Sequence, residues 1–240
     1  MRNQGDYIRD AFGKASLHLS ERQMEQFLFY YEMLIAKNRV MNLTAIVGFE
    51  EVVLKHFLDS LMLCRVVTPC LAGKLIDVGT GAGFPGIPLK IMYPELEVVL
   101  LDSLNKRVRF LDEVIEELGL EKIRTIHGRA EDFARKEEYR EEFDLCVSRA
   151  VANLASLAEY CIPFVRLGGS FVAYKGGKVV EELKMGERAI EVLGGKIVER
   201  EEFLIPGSDL FRGLLKVEKV EKTPLKYPRK AGIPGKEPIC

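Results

Sequence analysis

A chain of 240 residues, 48% hydrophobic and 30% charged, has enough apolar material for one large core, which excludes disordered and membrane-embedded classes. The net charge of −1 at pH 7 excludes a globally basic nucleic-acid binder, so any polyanion has to meet local patches. One such patch is the tail, where five basic residues and one acid from Lys222 onward make +4 and leave −5 on residues 1–221.

The first 65 residues read as helices. "SERQMEQFLFYYEMLIAKN" sets Met24, Phe27, Leu28, Tyr31, Leu34 and Ile35 on one face, and Ser20 with Gln23 forms a capping-box pattern at its start. After the loop "RVMNLTAIVG", a second helix is expected through "FEEVVLKHFLDSLML". From about residue 74 strands and helices alternate. "KLIDVG" is strand one, "LEVVLLD" (96–102) is an apolar run suited to a strand buried on both faces, and "NKRVRFLDEVIEELGL" is an amphipathic helix ending near Gly119. "IRTIHG" (123–128), "FDLCVSRAV" (143–151) and "GSFVAYKG" (169–176) follow as strands. "KIVEREEFLI" and "RGLLKVEKV" (212–220) have no helix between them and are expected as an antiparallel pair at the sheet's end. The pattern predicts an α/β fold: an open, mostly parallel sheet with helices on both faces. Its expected divisions are a helical cap over 1–65, the sheet domain over 66–220 and a basic tail over 221–240.

The N-terminus "MRNQGDYIRDAFGKAS" lacks the apolar core of a signal peptide, and no apolar run nears the roughly 20 residues that span a bilayer. The five cysteines (Cys64, Cys70, Cys146, Cys161, Cys240) form no CxxC pair, which points to reduced thiols in a cytoplasm rather than to zinc or disulfides.

Between strand one and the next helix lies "DVGTGAGFPGIPLKIMYP" (77–94), a tight turn of bare backbone opening a helix, and so a place to hold a ligand. Counted from Gly79, the third position of a dinucleotide fingerprint is Phe84 rather than Gly or Ala, which weakens the NAD reading. The loop has no terminal Lys and Ser or Thr, so it is not a P-loop. Asp77-x-Gly79-x-Gly81-x-Gly83 resembles instead the first motif of class I methyltransferases, which bind S-adenosylmethionine. A glycine turn without a ligand is the plainer alternative. Asp102 ends strand two, where a carboxylate accepts from ribose hydroxyls. "GRAED" (128–132) ends strand three, where the backbone of Ala130 and Glu131 is placed to read an adenine edge; Glu131 alone is equally a helix-start acid. Strand four carries "SRAVANL" with Arg149 in place of the D/N-P-P-Y of amino-methylating enzymes. A planar cation there orients a carboxylate, phosphate or carbonyl oxygen, or else forms a salt bridge to a nearby acid.

Together "NLTAI" (42–46), "KHFLDSL" (55–61), "DVGTGAGFPGIPLKI", "LLDSLNKRVRFL", "GRAED", "SRAVA" and "YPRKAGIPGKEPI" resemble the bacterial small-subunit (16S) ribosomal RNA guanine-N7 methyltransferases, also called glucose-inhibited division protein B. The resemblance runs from about residue 20 to 239; the first fifteen residues and Cys240 show no match. It implies a class I S-adenosylmethionine-dependent methyltransferase fold with Rossmann-like topology, and methyl transfer to N7 of a guanine in 16S rRNA. Carried over by position, Gly79, Phe84, Ala130, Glu131 and Arg149 match the family's cofactor-binding positions, and Gly81 and Asp102 complete the expected cofactor set.

Guanine N7 bears a lone pair and no proton, so the implied chemistry calls for orientation rather than a general base. Arg149 is the expected catalytic residue, facing guanine O6 or the cofactor carboxylate. His56 and Asp59 are expected at the pocket, with a satisfied interface histidine as the plainer reading of His56. For RNA the expected contacts are Lys106, Arg107, Lys226, Arg229 and Lys230, supported by Lys37, Arg39, Lys55, Arg109 and Lys236, with Tyr227 stacking a base. A tail merely packed on the sheet is the alternative. The expected partner is 16S ribosomal RNA or the small ribosomal subunit, met by a cytoplasmic monomer with no membrane and no metal. Two competing functions are a methyltransferase of the same fold acting on a small molecule or protein, and a non-catalytic adenosine-nucleotide sensor.

Overall fold

The computed structural model describes residues 3–67, 73–149, 152–176 and 179–239, with backbone alone over 179–185. Cys70, Cys240 and residues 150 and 151 of the expected fourth strand lie outside the described residues.

Two helices open the chain, α1 (Gln4–Lys14) and α2 (Glu21–Met41). The capping box at α2 is present in full: Ser20 Oγ accepts from Gln23 N, and Gln23 Oε1 accepts from Ser20 N. Its amide also donates to the Ile91 and Met92 carbonyls, so one side chain starts α2 and ties it to the helix beneath. The buried face is Met24, Phe27, Tyr30 and Leu34, with Leu28, Tyr31 and Ile35 only half-buried. Tyr30 falls outside the expected apolar face; its hydroxyl donates to the Ala82 carbonyl at 2.5 Å, which seats the helix on the glycine loop.

The expected second helix is helical throughout but not uniform. α3 (Phe49–Val52) runs into a π-helical turn over Val53–Leu58, then α4 (Asp59–Leu61) and a 3₁₀ turn at Met62–Arg65. The wider π turn buries Val53, His56, Phe57 and Leu58 together. Turns of this kind gather at functional sites because they re-aim side chains.

Among the described residues, the rest is one seven-stranded sheet with flanking helices. In chain order these are β1 (Lys74–Val78), α5 (Gly86–Met92), β2 (Glu97–Asp102), α6 (Asn105–Glu117), β3 (Ile123–His127), α7 (Ala130–Phe133), β4 (Phe143–Arg149), α8 (Leu154–Cys161), β5 (Val165–Lys175), α9 (Val179–Val192), β6 (Gly195–Leu204), β7 (Phe211–Lys219) and α10 (Ile233–Lys236). The order is β3-β2-β1-β4-β5-β7-β6, parallel except that β7 runs antiparallel to both neighbours. β5 starts four residues earlier than expected. The added stretch bulges out of the ladder: Phe143 pairs with Val165, and Leu145 with Ser170, with Gly168 at φ +75°.

Alternate strand residues feed two apolar layers. Leu75, Val98, Leu100 and Val147 pack with α1, α2 and the π turn, while Ile76, Val99, Leu101 and Cys146 pack with α8 and α9. Both faces are covered, as a parallel sheet requires. Among the described residues no helix is long and apolar enough to cross a membrane.

Candidate functional site

Strand order reverses between β1 and β4, and the helices that follow them, α5 and α8, pack on opposite faces of the sheet. Ligands of open α/β sheets bind at such a crevice, beyond the strands' carboxyl ends. A cavity of about 570 Å³ opens there, lined on one side by the glycine loop and on the other by the π turn. A second, of about 320 Å³, meets it at Gly79, Asp102 and Ser103 and extends over Ala130 and Glu131. Each is within the range of small-molecule sites.

Bare backbone in the loop has two different causes. Gly81 lies at φ +63°, and a Cβ there would meet nothing within 4 Å, so it would project into the cavity. At Gly86 a Cβ would run into Leu100 and Asp77, so this glycine permits close packing of helix on strand. Asp77 lies beneath the loop and is fully buried. Its Oδ2 accepts from Thr80 Oγ1 at 2.7 Å and Gly86 N at 2.8 Å, whereas Oδ1 has no hydrogen-bond partner among the described residues. Burial raises this carboxyl to about 7. Asp77 thus staples the turn rather than lining the cavity.

Asp102 is also buried, but it faces both cavities. Its Oδ2 accepts from Gly81 N at 2.9 Å and lies 3.4 Å from Arg107 Nη1, and Oδ1 accepts from Leu104 N at 2.9 Å. A carboxylate offers about four lone-pair sites, so acceptor capacity toward the cavity remains.

The far wall is built on Arg149, at the end of β4. Its Nη1 donates to Asp59 Oδ2 at 2.9 Å and to the Lys55 carbonyl at 3.3 Å; its Nη2 donates to His56 Nδ1 at 3.3 Å. The guanidinium carbon sits 5.1 Å from the Phe84 ring centroid, and His56 stacks on the same ring at 4.5 Å. Arg212 Nε donates to the other oxygen of Asp59 at 3.0 Å. Burial raises the Asp59 carboxyl while the two guanidiniums pull against that rise. The salt-bridge reading of Arg149 is thus realised at the cavity wall, where the side chain remains 14% exposed.

Arginine carries donors only, so His56 Nδ1 accepts and the ring proton sits on Nε2, 2.8 Å from Thr44 Oγ1. Thr44 Oγ1 also accepts from Ile46 N at 3.0 Å, which leaves the hydroxyl proton to point into the cavity that Thr44 lines. Neither Thr44 nor Arg212 belongs to the set expected from the sequence. "NLTAI" marks the loop, but nothing local indicates which side chain turns inward.

Burial, followed by the charge of Arg149, lowers His56 from the usual 6.5 to about 3. The unfolded chain therefore binds the proton first, and the stability due to neutral His56 is present above pH 6.5 and lost as pH falls toward 3. Between pH 7 and pH 4 the parental protein is expected to lose about 3 kcal/mol more than His56→Gln, at roughly 1.4 kcal/mol per pH unit. Denaturant titrations across that range check this, and parallel curves for the two proteins would refute it.

Of the other anticipated residues, Gly79, Gly81, Phe84, Asp102 and Arg149 line the first cavity, and Ala130 and Glu131 the second. Glu131 Oε1 accepts from Gly232 N of the tail at 2.9 Å, so its carboxylate faces protein. The RNA set divides. Lys106 is exposed, with Nζ 3.3 Å from the Met41 carbonyl, and Arg107 leans on Asp102. Lys37 and Lys55 pair with Glu113 and Glu51. Lys226 lies over the Tyr227 ring and Lys230 is exposed. Two of the expected RNA contacts are engaged with protein. Arg229 forks onto Glu159, which is fully buried, and its side chain stays 26% exposed. Tyr227 is half-buried and packs against the apolar layer of α8 and α9, with Lys226 over its ring. A buried carboxylate attracts the nearest cation inward, and an aromatic ring beside it is worth more covered than exposed.

Residues 23–206 match the family model of GidB, rRNA small subunit methyltransferase G. The chain is 52% identical to ribosomal RNA small subunit methyltransferase G of Lachnoclostridium phytofermentans, over 100% of this chain and 98% of that protein. It is 51% identical to the corresponding protein of Alkaliphilus metalliredigens, with 97% of each covered. Among solved structures, a SAM-dependent methyltransferase from Aquifex aeolicus superposes with a TM-score of 0.54 at 16% identity, covering 70% of this chain and 93% of that one. A predicted O-methyltransferase from Agrobacterium tumefaciens gives 0.53 at 20% identity, covering 69% and 80%. These two likenesses concern the fold.

Proposed function

Since the chain belongs to the rRNA small subunit methyltransferase G family, we propose that it methylates N7 of one guanine in 16S ribosomal RNA. It is an S-adenosylmethionine-dependent methyltransferase, and its residues fit that cofactor: Gly81 leaves open space that a Cβ would enter, and Asp102 keeps acceptor capacity. Gly79, Gly81 and Arg149 would hold the methionine end, Asp102 the ribose, and the backbone at Ala130 and Glu131 the adenine. When bound, the cofactor supplies an electrophilic methyl carbon beside a sulfonium charge.

The observation that carries the N7 reading is that His56, Asp59 and Tyr174 of the far wall are all engaged, while Asp102, the carboxylate of this cavity with acceptor capacity left, is read as holding the ribose. His56 has both ring nitrogens engaged and is held neutral, and Asp59 has both oxygens on guanidiniums. Tyr174 donates its proton to the Ser60 carbonyl at 2.6 Å. An acceptor that must lose a proton before attack would find no free group among the described residues of this wall to take it; guanine N7, with a free lone pair, needs none. The residues of this wall are therefore left to orient the base, through the Thr44 hydroxyl, and to exclude water. Exposed Lys106 and Lys230 give the RNA phosphates cationic contacts despite the overall charge of −1. The partner in this reading is 16S rRNA or the small subunit, met by a monomeric enzyme in the cytoplasm.

Mapping N7-methylguanine in small-subunit RNA from cells with and without the gene tests this directly. One modified guanine is expected to disappear with the gene; identical maps would refute the proposal.

A further inference from the structure

The basic tail is bound to the protein by a set of ionic and backbone contacts that its composition does not suggest. Arg135 donates from Nε and Nη2 to the Pro228 carbonyl at 3.0 and 2.6 Å. Arg140 reaches the carbonyls of Thr223 at 2.7 Å and Tyr227 at 2.9 Å. Arg229 then closes on Glu159 of α8. Its backbone N donates to Oε1 at 2.7 Å and its Nη2 to Oε2 at 2.6 Å, with Nε within 3.1 Å of both oxygens. Further on, Gly232 N donates to Glu131 at 2.9 Å, and the Pro234 carbonyl accepts from Ser156 Oγ at 2.7 Å.

Glu159 is fully buried, and among the described residues the hydrogen bonds to its carboxylate all come from Arg229. A buried carboxylate without its cation is strongly unfavourable, so burial of Glu159 and docking of the tail stabilise each other. This clasp places Gly235 at the rim of the 320 Å³ cavity, opposite Ala130 and Glu131 and beside Tyr160; a Cβ on Gly235 would sit 3.2 Å from the Tyr160 hydroxyl.

We propose that residues 228–237 form the outer wall of the adenine subsite, and that Arg229 is a positioning residue for the cofactor, holding this wall through Glu159. The inference rests on reading the joined cavities as the S-adenosylmethionine site. It reassigns part of the tail's charge from RNA to cofactor binding, because Arg229 faces inward while Lys226 and Lys230 face out.

Calorimetry with S-adenosylhomocysteine tests it on the full chain. Gly235→Leu is expected to lower affinity at least tenfold, because its side chain crowds the Tyr160 hydroxyl at the rim of the cavity that both residues line, at an exposed position away from the core. Arg229→Ala is expected to do the same by releasing the wall, with Arg229→Lys partly restoring affinity. Hydrogen exchange at the amides of 230–236 is expected to slow when S-adenosylhomocysteine binds the parental protein, which a merely structural tail would not show. For a 16S rRNA fragment, Arg229→Ala is expected to leave the slope of log affinity against log salt unchanged. A parental protein that binds S-adenosylhomocysteine while Gly235→Leu binds equally well and tail exchange is indifferent to the ligand would overturn the inference. So would a reduced salt slope in Arg229→Ala with parental cofactor affinity. A parental protein that does not bind S-adenosylhomocysteine would instead overturn the reading of the cavity.

Discussion

Gly81→Val is expected to lower affinity for S-adenosylmethionine and its demethylated product more than a hundredfold while the protein still folds. The backbone there has φ +63°, which costs an L-residue about 1–2 kcal/mol and a β-branched one more. A Cβ at this position would have no neighbouring atom within 4 Å, so the core itself raises no objection, and the two methyl groups occupy the cavity. Gly86→Ala gives the contrast. Its Cβ would run into Leu100 and the Asp77 carboxylate beneath the loop, so this smaller change is expected to lower the melting temperature more than Gly81→Val does. Calorimetry with each ligand and a thermal melt of each variant separate the two roles. Normal ligand affinity in Gly81→Val would place the cofactor elsewhere.

Arg149→Lys is expected to keep the fold and lose about a hundredfold in turnover, the scale of loss that follows a misplacement of about 1 Å at a reacting centre. A lysine retains the charge opposite Asp59, so the buried carboxylate is not abandoned. It cannot reproduce a planar fork that reaches Asp59, the Lys55 carbonyl and His56 together while lying over Phe84. With its Arg149 partner gone, the His56 ring is released from its tautomer, and the Thr44 hydroxyl loses the neighbour that aims it. Binding and single-turnover measurements then divide the outcomes. Weakened cofactor affinity assigns Arg149 to the methionine carboxylate, and normal affinity with slow methylation assigns it to the target guanine. Parental rate and affinities together would reduce Arg149 to a structural ion pair.

The parts of the site visible in the chain are those that depend on neighbours in sequence. The Ser20–Gln23 capping box is a three-residue relation and is found as written. The glycine loop follows the same rule, because positive φ at Gly79, Gly81 and Gly83 is a demand of the local backbone. The strand end at Asp102 follows from an apolar run of strand length; Arg149, expected inside a strand running to 151, ends β4, and the parallel register then brings the two to one edge. The face of α2 is less legible: Tyr30 is buried through its bond to the Ala82 carbonyl, 52 residues away, and helical periodicity carries no record of that.

The α/β alternation, the glycine turn and the strand ends that carry the cofactor positions are thus written in the chain, since each is set by local propensity and by which residues must leave water. The pairing of polar side chains is not, and it arises with the tertiary fold. The π turn at Val53–Leu58 turns His56 and Asp59 toward Arg149, 93 and 90 residues away, and Arg212 reaches Asp59 from a separation of 153. Glu159 passes in the sequence for an ordinary helix acid, and Arg229 for a solvent cation. Folding removes the carboxylate from water, and a buried charge then draws in whichever cation the chain brings within reach. Ionic partners are chosen by proximity and desolvation, and neither exists until the chain has folded.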